Sequence, residues 1–357
     1  MGAKNMTFKK YNSIDNHYNN KVIQAVRDHF YDVDTDWVCT EKIHGANFSF
    51  WTDGTTVRCG KRSGFIGENE NFNNWQYVYD LYAKKVLYLY DCITRFKYGF
   101  WGHELPPKEI QIFGEIFGGE YPHPDVARIP NASRVQKGVF YCPHNDVKFF
   151  DLCVDGNYTN IDTMHYYMDM CRLPYVKTIF RGEFDECLNY SCEFESKIHE
   201  EYDLPKIENN FAEGFVLRPF KPLCFNRGVG KGERVILKKK HPNFSEIAKA
   251  PRERINQDAT MTPEQENILD EISHFITENR LDNVLSKIGE ITTKDFGKLQ
   301  GAMMKDILDE FVKCEDQFAT VPVFVAMGKS DRRLIQKSLQ KRVSTFIRPV
   351  FIDKISE

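Results

Sequence analysis

Glu41-Lys42-Ile43-His44-Gly45-Ala46-Asn47-Phe48 joins two runs with strand character, Trp37–Thr40 before it and Asn47–Thr52 after it. Both runs are rich in aromatic and branched residues, and turn residues bound them. Gly45 frees the backbone to approach a ligand closely. A basic residue three positions before a glycine is common: with 48 Lys+Arg and 22 Gly in 357 residues, about three such pairs arise by chance. The two flanking strands make this copy informative. A lysine held in such a turn can attack an electrophilic phosphorus, provided that nearby positive charge or desolvation keeps it neutral. The plain alternative is a surface lysine at a strand end.

Four further segments bear on that choice. Phe113-Gly114-Glu115-Ile116 ends a strand on a carboxylate, followed by Gly118-Gly119. Lys148-Phe149-Phe150-Asp151-Leu152 is an apolar strand whose Phe150 is suited to stacking on a base or to packing in a core. Glu213-Gly214-Phe215-Val216-Leu217-Arg218-Pro219 is a strand opened by a carboxylate. Val235-Ile236-Leu237-Lys238-Lys239-Lys240 is an apolar strand over Arg234–Leu237 that runs into three lysines. Lys238 and Lys240 are two apart and so share one face, with Lys239 on the other. Two ammonium groups on one face repel unless an anion such as a triphosphate lies between them.

The whole chain sets the limits. Lys+Arg at 48 nearly balance Asp+Glu at 51, for a net charge of −3, so a nucleic-acid partner must be held by a local basic patch. The patch expected is Arg227, Lys231, Arg234, Lys238, Lys239 and Lys240, against the single acid Glu233. Hydrophobic residues at 41% and aromatics at 14% exclude an intrinsically disordered chain. No apolar run approaches the roughly 18 residues of a membrane span, and no signal region opens the sequence. Ten cysteines without a Cys-x-x-Cys pair point to reduced thiols in a soluble, intracellular protein. Arg227-Gly228-Val229-Gly230-Lys231-Gly232 lacks the Walker pattern and reads as a turn before the lysine strand.

The pattern is mixed α and β to about residue 245, with helices expected over Asn74–Tyr90 and Asp162–Cys171. Residues 251–261 turn polar and read as a linker. Thr262-Pro263-Glu264-Gln265 is a helix start with a capping box. A second capped segment begins near Ser330, followed by Leu334, Ile335, Leu339, Val343, Phe346 and Ile347 at helical spacing. The expected architecture is therefore α+β. A domain built on antiparallel sheets over residues 1–250 precedes a small all-helical C-terminal domain over 262–357.

Taken with Tyr11-Asn12-Ser13-Ile14-Asp15-Asn16-His17-Tyr18, these segments resemble the RNA ligase 2 family of ATP-dependent RNA ligases over nearly the whole chain. That family includes a bacteriophage enzyme and the kinetoplastid RNA-editing ligases, and belongs to the covalent nucleotidyltransferase superfamily. His44 stands where DNA ligases and capping enzymes typically carry Asp. The helical C-terminal region, with Ser286-Lys287-Ile288-Gly289-Glu290-Ile291 and Lys294-Asp295-Phe296-Gly297-Lys298, also resembles the phage-type ligase and not a β-rich barrel. Against that pattern, Thr94–Lys108 looks like additional sequence.

The resemblance implies an ATP-grasp-like adenylyltransferase fold and a role for each matching residue. Lys42 would become a lysyl-AMP phosphoramidate, with His44 supporting that step and Asp151 assisting a later one. Glu41 and Asn47 would line the nucleotide pocket. Arg62 would contact the nucleotide phosphate or the RNA 5′-phosphate. Glu115 would accept from the ribose, Phe150 would stack on adenine, and Lys238 and Lys240 would clamp the phosphates. Glu213 would help hold a divalent metal, Mg²⁺ with Mn²⁺ as an alternative, bound mostly through water and phosphate oxygens. Arg280, Asp306 and Glu310 would serve RNA-end sealing from the C-terminal domain.

The implied substrates are ATP and RNA, as a nicked duplex with 3′-OH and 5′-phosphate ends. No membrane and no obligate protein partner is expected. A DNA ligase or capping-type nucleotidyltransferase would share the lysyl chemistry, but the His44 variant and the helical tail argue against both. A non-catalytic RNA-binding module would need no carboxylates such as Glu115 and Glu213 around a lysine.

Overall fold

The computed structural model describes residues 6–30, 35–95, 106–225, 232–248 and 261–356. The expected linker, apart from Met261 at its far end, lies outside these residues. So do Arg227, Lys231 and most of the additional segment 94–108. The chain divides into two compact units, one of Met1–His17 with Lys21–His241 and one of Tyr18–Asn20 with Pro242–Glu357.

In chain order the first unit carries β1 (Asp15–Asn16), α1 (Asn20–Phe30), β2 (Trp37–Glu41), β3 (Ala46–Thr52), β4 (Val57–Lys61), β5 (Gly64–Phe65), α2 (Trp75–Ile93) and β6 (Ile110–Gly118). Then come β7 (Asn145–Val154), β8 (Asn157–Tyr158), α3 (Ile161–Cys171), β9 (Thr178–Gly182), α4 (Phe184–Asn189), β10 (Gly214–Pro219) and β11 (Leu237–Lys240). The strands form two sheets, one of order β1-β11-β10-β2-β9 and one of order β5-β4-β3-β6-β7-β8. Every pairing between these strands is antiparallel except β1 on β11.

Period-2 alternation explains the layers. On the six-stranded sheet, Phe48, Phe50, Ile112, Val147 and Phe149 pack against Val78, Tyr82, Val86 and Leu89, which recur at helical spacing along α2. From the same sheet, Trp51, Phe113 and Cys153 point the other way, onto Val216 and Ile236 beside the five-stranded sheet. The far side of the five-stranded sheet buries Cys39, Phe215 and Leu237 against Val22 and Val26 of α1 and Cys187 of α4.

The expected strands at 37, 47, 148 and 214 are found with small extensions, and the strand expected to end at Glu115 is the nine-residue β6, Ile110–Gly118. The expected strand Arg234–Leu237 is not: Arg234 makes only an isolated bridge to Cys224, and the ladder runs over Leu237–Lys240, where it pairs with β10.

One irregularity in β7 matters for the site. Phe113 pairs with Asp151 and Gly114 with Phe149, so Phe150 is an extra residue, a β-bulge. A regular strand would send Phe150 and Asp151 to opposite faces. Here both reach the inter-sheet side: Phe150 lies 5.2 Å from the Tyr11 ring, and the Asp151 carboxylate accepts from Tyr11 Oη.

In the second unit the described residues from Pro263 to Ser356 form α5 (Pro263–Ser273), α6 (Glu278–Ile288), α7 (Phe296–Phe311), α8 (Val321–Ala326) and α9 (Lys329–Ser356). Thr262 caps α5 reciprocally with Gln265, with Pro263 in its first turn. Ile268, Ile272, Phe275, Met303, Ile307, Phe311, Ile335, Leu339 and Val343 make one helical core. Among the described residues, no helix is long and apolar enough to cross a membrane.

Candidate active site

β2 delivers Glu41 at its end, and the turn to β3 delivers Lys42 and His44. Lys42 N–H donates to the Gly214 carbonyl at 2.9 Å, pinning this turn to the start of β10. Gly45 is required by close approach: a Cβ there would lie 2.2 Å from the Ile116 carbonyl oxygen. Gly214 has φ +136°, and a Cβ there would meet the Lys239 carbonyl oxygen at 2.1 Å.

This local geometry brings three basic groups onto one carboxylate. Glu213 Oε2 lies 2.6 Å from Lys42 Nζ and 3.1 Å from His44 Nδ1, and Glu213 Oε1 lies 2.9 Å from Lys240 Nζ. The Glu213 side chain is 1% exposed and that of Lys42 is 19% exposed, so the amine has access that its partner lacks. Burial alone would raise the Glu213 carboxyl. Lys240, Lys42 and then His44 outweigh burial and hold it well below the usual carboxylate range.

Glu115 behaves oppositely. Burial pushes it up to about 8, with Glu213 reinforcing the rise and Lys42, Arg62 and Lys240 opposing it. Two carboxyl groups facing the same lysines are thus driven apart, one firmly ionised and one readily protonated. Glu41 is also raised by burial, to about 7, against a hydrogen bond from Ser196 and the charge of Lys148. Its Oε1 is buried and has no hydrogen-bond partner among the described residues.

Other expected residues fall around this cluster. Asn47 pairs in register with Glu115 across β3 and β6. Arg62 follows β4 and donates to the carbonyls of Tyr11 and Asn12 at 2.8 and 3.2 Å, within electrostatic reach of Glu115. Lys238 shares the face of Lys240, whereas Lys239 turns away and donates to the carbonyls of Leu188 and Tyr190.

Asp151 belongs to a second cluster. Its carboxylate accepts from Tyr11 Oη at 2.7 Å and pairs with Arg218 at 3.0 Å and Arg234 at 2.5 Å. Burial would raise it, but Arg234 and Arg218 hold it below its ordinary value. Arg218 also donates to the Phe150 carbonyl at 2.6 Å, fixing the bulge. The Arg234 guanidinium lies 3.7 Å above the Tyr158 ring and is buried. This corrects the expected polynucleotide patch: Arg234 is spent on Asp151, Lys239 on backbone carbonyls, and Arg227 and Lys231 lie outside the described residues.

The second unit assembles its own expected trio. Arg280 is 1% exposed and is paired with Asp306 and, at 3.4 Å, with Glu246. Asp306 also pairs with Lys287 at 2.9 Å, and Glu310 accepts from Tyr18 Oη at 2.8 Å while adding its charge to the field at Arg280.

Several of these partners carry no mark of their role in the sequence. Tyr141 is buried and accepts the His44 N–H at 2.9 Å. Tyr11 and Glu246 are ordinary polar residues in sequence. Arg218 does carry a signal: it shares the inward parity of Val216 in an otherwise apolar strand.

Among the described residues, no three His, Cys, Asp or Glu side chains converge as an all-protein metal cage. A hard divalent cation of another kind needs only one or two carboxylates, with water and substrate oxygens completing its shell; the carboxylates beside Lys42 are Glu213 and Glu115.

The chain matches the family model described as RNA ligase over residues 35–240. It matches the model described as T4 RNA ligase 2 C-terminal over residues 259–345. It is 26% identical over 382 residues to RNA-editing ligase 2, mitochondrial, of Trypanosoma brucei brucei (strain 927/4 GUTat10.1), covering 91% of this chain and 88% of that protein. It is likewise 26% identical over 334 residues to RNA-editing ligase 1, mitochondrial, of the same strain, covering 78% of this chain and 70% of that protein. Among solved structures, a mutant Naegleria gruberi RNA ligase with AMP and Mn aligns with TM-score 0.44 at 13% identity, over 67% of this chain and 58% of that chain, which is under two thirds of its length. The first family match alone spans more than half of the sequence, and with the second at its C-terminal end it places the chain in the RNA ligase family, on the RNA ligase 2 branch.

Proposed function

We propose that this protein is an ATP-dependent RNA ligase that joins RNA 3′-OH and 5′-phosphate ends through an adenylylated lysine. The observation that carries the reading is Glu213, one buried carboxylate holding Lys42, His44 and Lys240 together, with Lys42 the more exposed partner. Family membership, and the two trypanosome relatives named as RNA-editing ligases, support RNA as the substrate.

In the first step Lys42 Nζ, having lost its proton, forms a P–N bond to the α-phosphate of ATP. The α–β P–O bond breaks, and its electron pair leaves with pyrophosphate. His44 holds the turn that aims Lys42, and Lys238 and Lys240 clamp the phosphates. In the second step an RNA 5′-phosphate oxygen displaces Lys42 from AMP, and the lysine regains its proton. In the third step a 3′-OH attacks that 5′-phosphorus, releases AMP and leaves a phosphodiester. Glu41, Asn47, Arg62 and Glu115 line the nucleotide site, and Phe150 supplies a stacking face that the bulge turns toward the inter-sheet side. Asp151 acts through Arg218 as a positioning residue for that ring. When bound near Glu213 and Glu115, Mg²⁺ or Mn²⁺ would neutralise phosphate charge as it develops.

The adenylyltransferase domain is residues 1–250, of ATP-grasp-like fold, joined by a linker over 251–261 to an all-helical domain over 262–357. That second domain supplies Arg280, Asp306 and Glu310 for sealing, and the substrate is a nicked duplex sealed without a protein partner. The test is incubation with α-labelled ATP and Mg²⁺. Acid-labile, alkali-stable label on wild type and none on Lys42→Ala is expected; label retained by Lys42→Ala refutes the reading. Joining of a nicked RNA duplex by the purified chain tests the substrate and the independence from partners.

A further inference from the structure

Charge in the second unit is segregated. Helix α9 carries eight Lys+Arg against two acids, Asp331 and Asp353. The preceding residues 242–328 carry nine Lys+Arg against sixteen Asp+Glu. A basic helix in an acidic unit has two uses: internal pairing with that acid, or display to an external anion.

The burial pattern separates them. Ile335, Leu339, Val343, Ile347 and Phe351 recur every four residues and are buried in the helical core. Arg333 and Lys337 are also four apart and are exposed, each two positions before a core residue and so about 200° around the helix from it. Arg342, half-buried, serves the other use: it bonds Asp270 at 3.0 Å and Ser273 at 2.8 Å. Neither Asp331 nor Asp353 lies on the outer stripe by the same angular count.

We infer that this outer face of α9 is a contact surface for the phosphate backbone of the RNA substrate. The inference rests on the reading of RNA as substrate given above and adds where part of the binding comes from. Two cations about 6 Å apart along a rigid axis suit two successive phosphates and carry no base-reading geometry. An anionic membrane is the poorer fit, because an interfacial helix needs its apolar face in the lipid and α9 has buried that face in its own core.

The test compares wild type with Arg333→Gln/Lys337→Gln, using a fluorescent nicked RNA duplex over a salt series and label uptake from α-labelled ATP in the absence of RNA. Each lost phosphate contact removes about 0.7–0.9 from the slope of log affinity against log salt. The double variant should therefore show a slope shallower by about 1.5, with unchanged label uptake and an unchanged melting temperature. Label uptake that fails in wild type strikes the ligase reading. An unchanged salt slope in a folded, label-competent double variant overturns this one, as does loss of binding to phosphatidylserine vesicles with RNA binding intact.

Discussion

Lys42 Nζ and Glu213 Oε2 stand 2.6 Å apart at the junction of β2 and β10, 171 residues apart in sequence. The carboxylate that aligns the amine also holds Lys240 and His44, so removing it takes one shared counter-charge from three groups at once.

Glu213→Gln is expected to slow AMP capture by at least ~100-fold, because one neutral amide cannot align three basic groups. Rapid-quench labelling measures this. The same variant should depend more steeply on salt, since Lys42 and Lys240 then repel without a shared counter-charge.

Glu115 gives a signed pH effect. Its folded-state value of about 8 exceeds its ordinary value of 4.5, so the folded chain keeps a proton that the unfolded chain releases. This costs no stability below about pH 4.5 and a growing amount as pH rises to about 8. Glu115→Gln should therefore raise the melting temperature relative to wild type more at about pH 8 than at about pH 5. Thermal melts of both proteins across that window check the sign, and an equal offset at both ends would count against it.

Arg280→Ala removes the buried guanidinium that Asp306 and Glu246 share, leaving Asp306 its pair with Lys287 at 2.9 Å. The expected loss is about 3–5 kcal/mol in the helical unit, read from urea unfolding. ATP labelling of Lys42 should survive, because the side chains proposed to bind the nucleotide are all in the first unit. Nick joining should fall.

Gly45→Ala would press a methyl against the Ile116 carbonyl at 2.2 Å and the Glu115 Cγ at 2.9 Å. Relief by shifting the turn costs about 1–3 kcal/mol and moves Lys42 with it. AMP capture should drop at least tenfold while the far-UV circular dichroism spectrum stays native.

Local features were legible in the sequence. The reciprocal cap of Thr262 and Gln265, the division of Lys238 and Lys240 from Lys239, and the strands flanking Lys42 depend on neighbours a few residues away. What escaped was set by distant partners. Arg234 looked like part of a solvated basic patch because its counter-charge, Asp151, is 83 residues upstream. The strand expected at Arg234–Leu237 fell later, at Leu237–Lys240, because β10 and not local propensity fixes where β11 pairs. The inward Tyr141 hydroxyl under His44 has no marker in its own neighbourhood.

The extra residue in β7 implies that this strand tolerates exchange better than shortening. Deleting any one residue from Phe149 to Asp151 would restore a regular two-residue repeat, and only one of two consecutive side chains could then look inward. Either an aromatic ring or an acid would be lost from the interior, along with the anchor for two arginines. Length polymorphism at this point should be lethal to activity even where every remaining amino acid is unchanged.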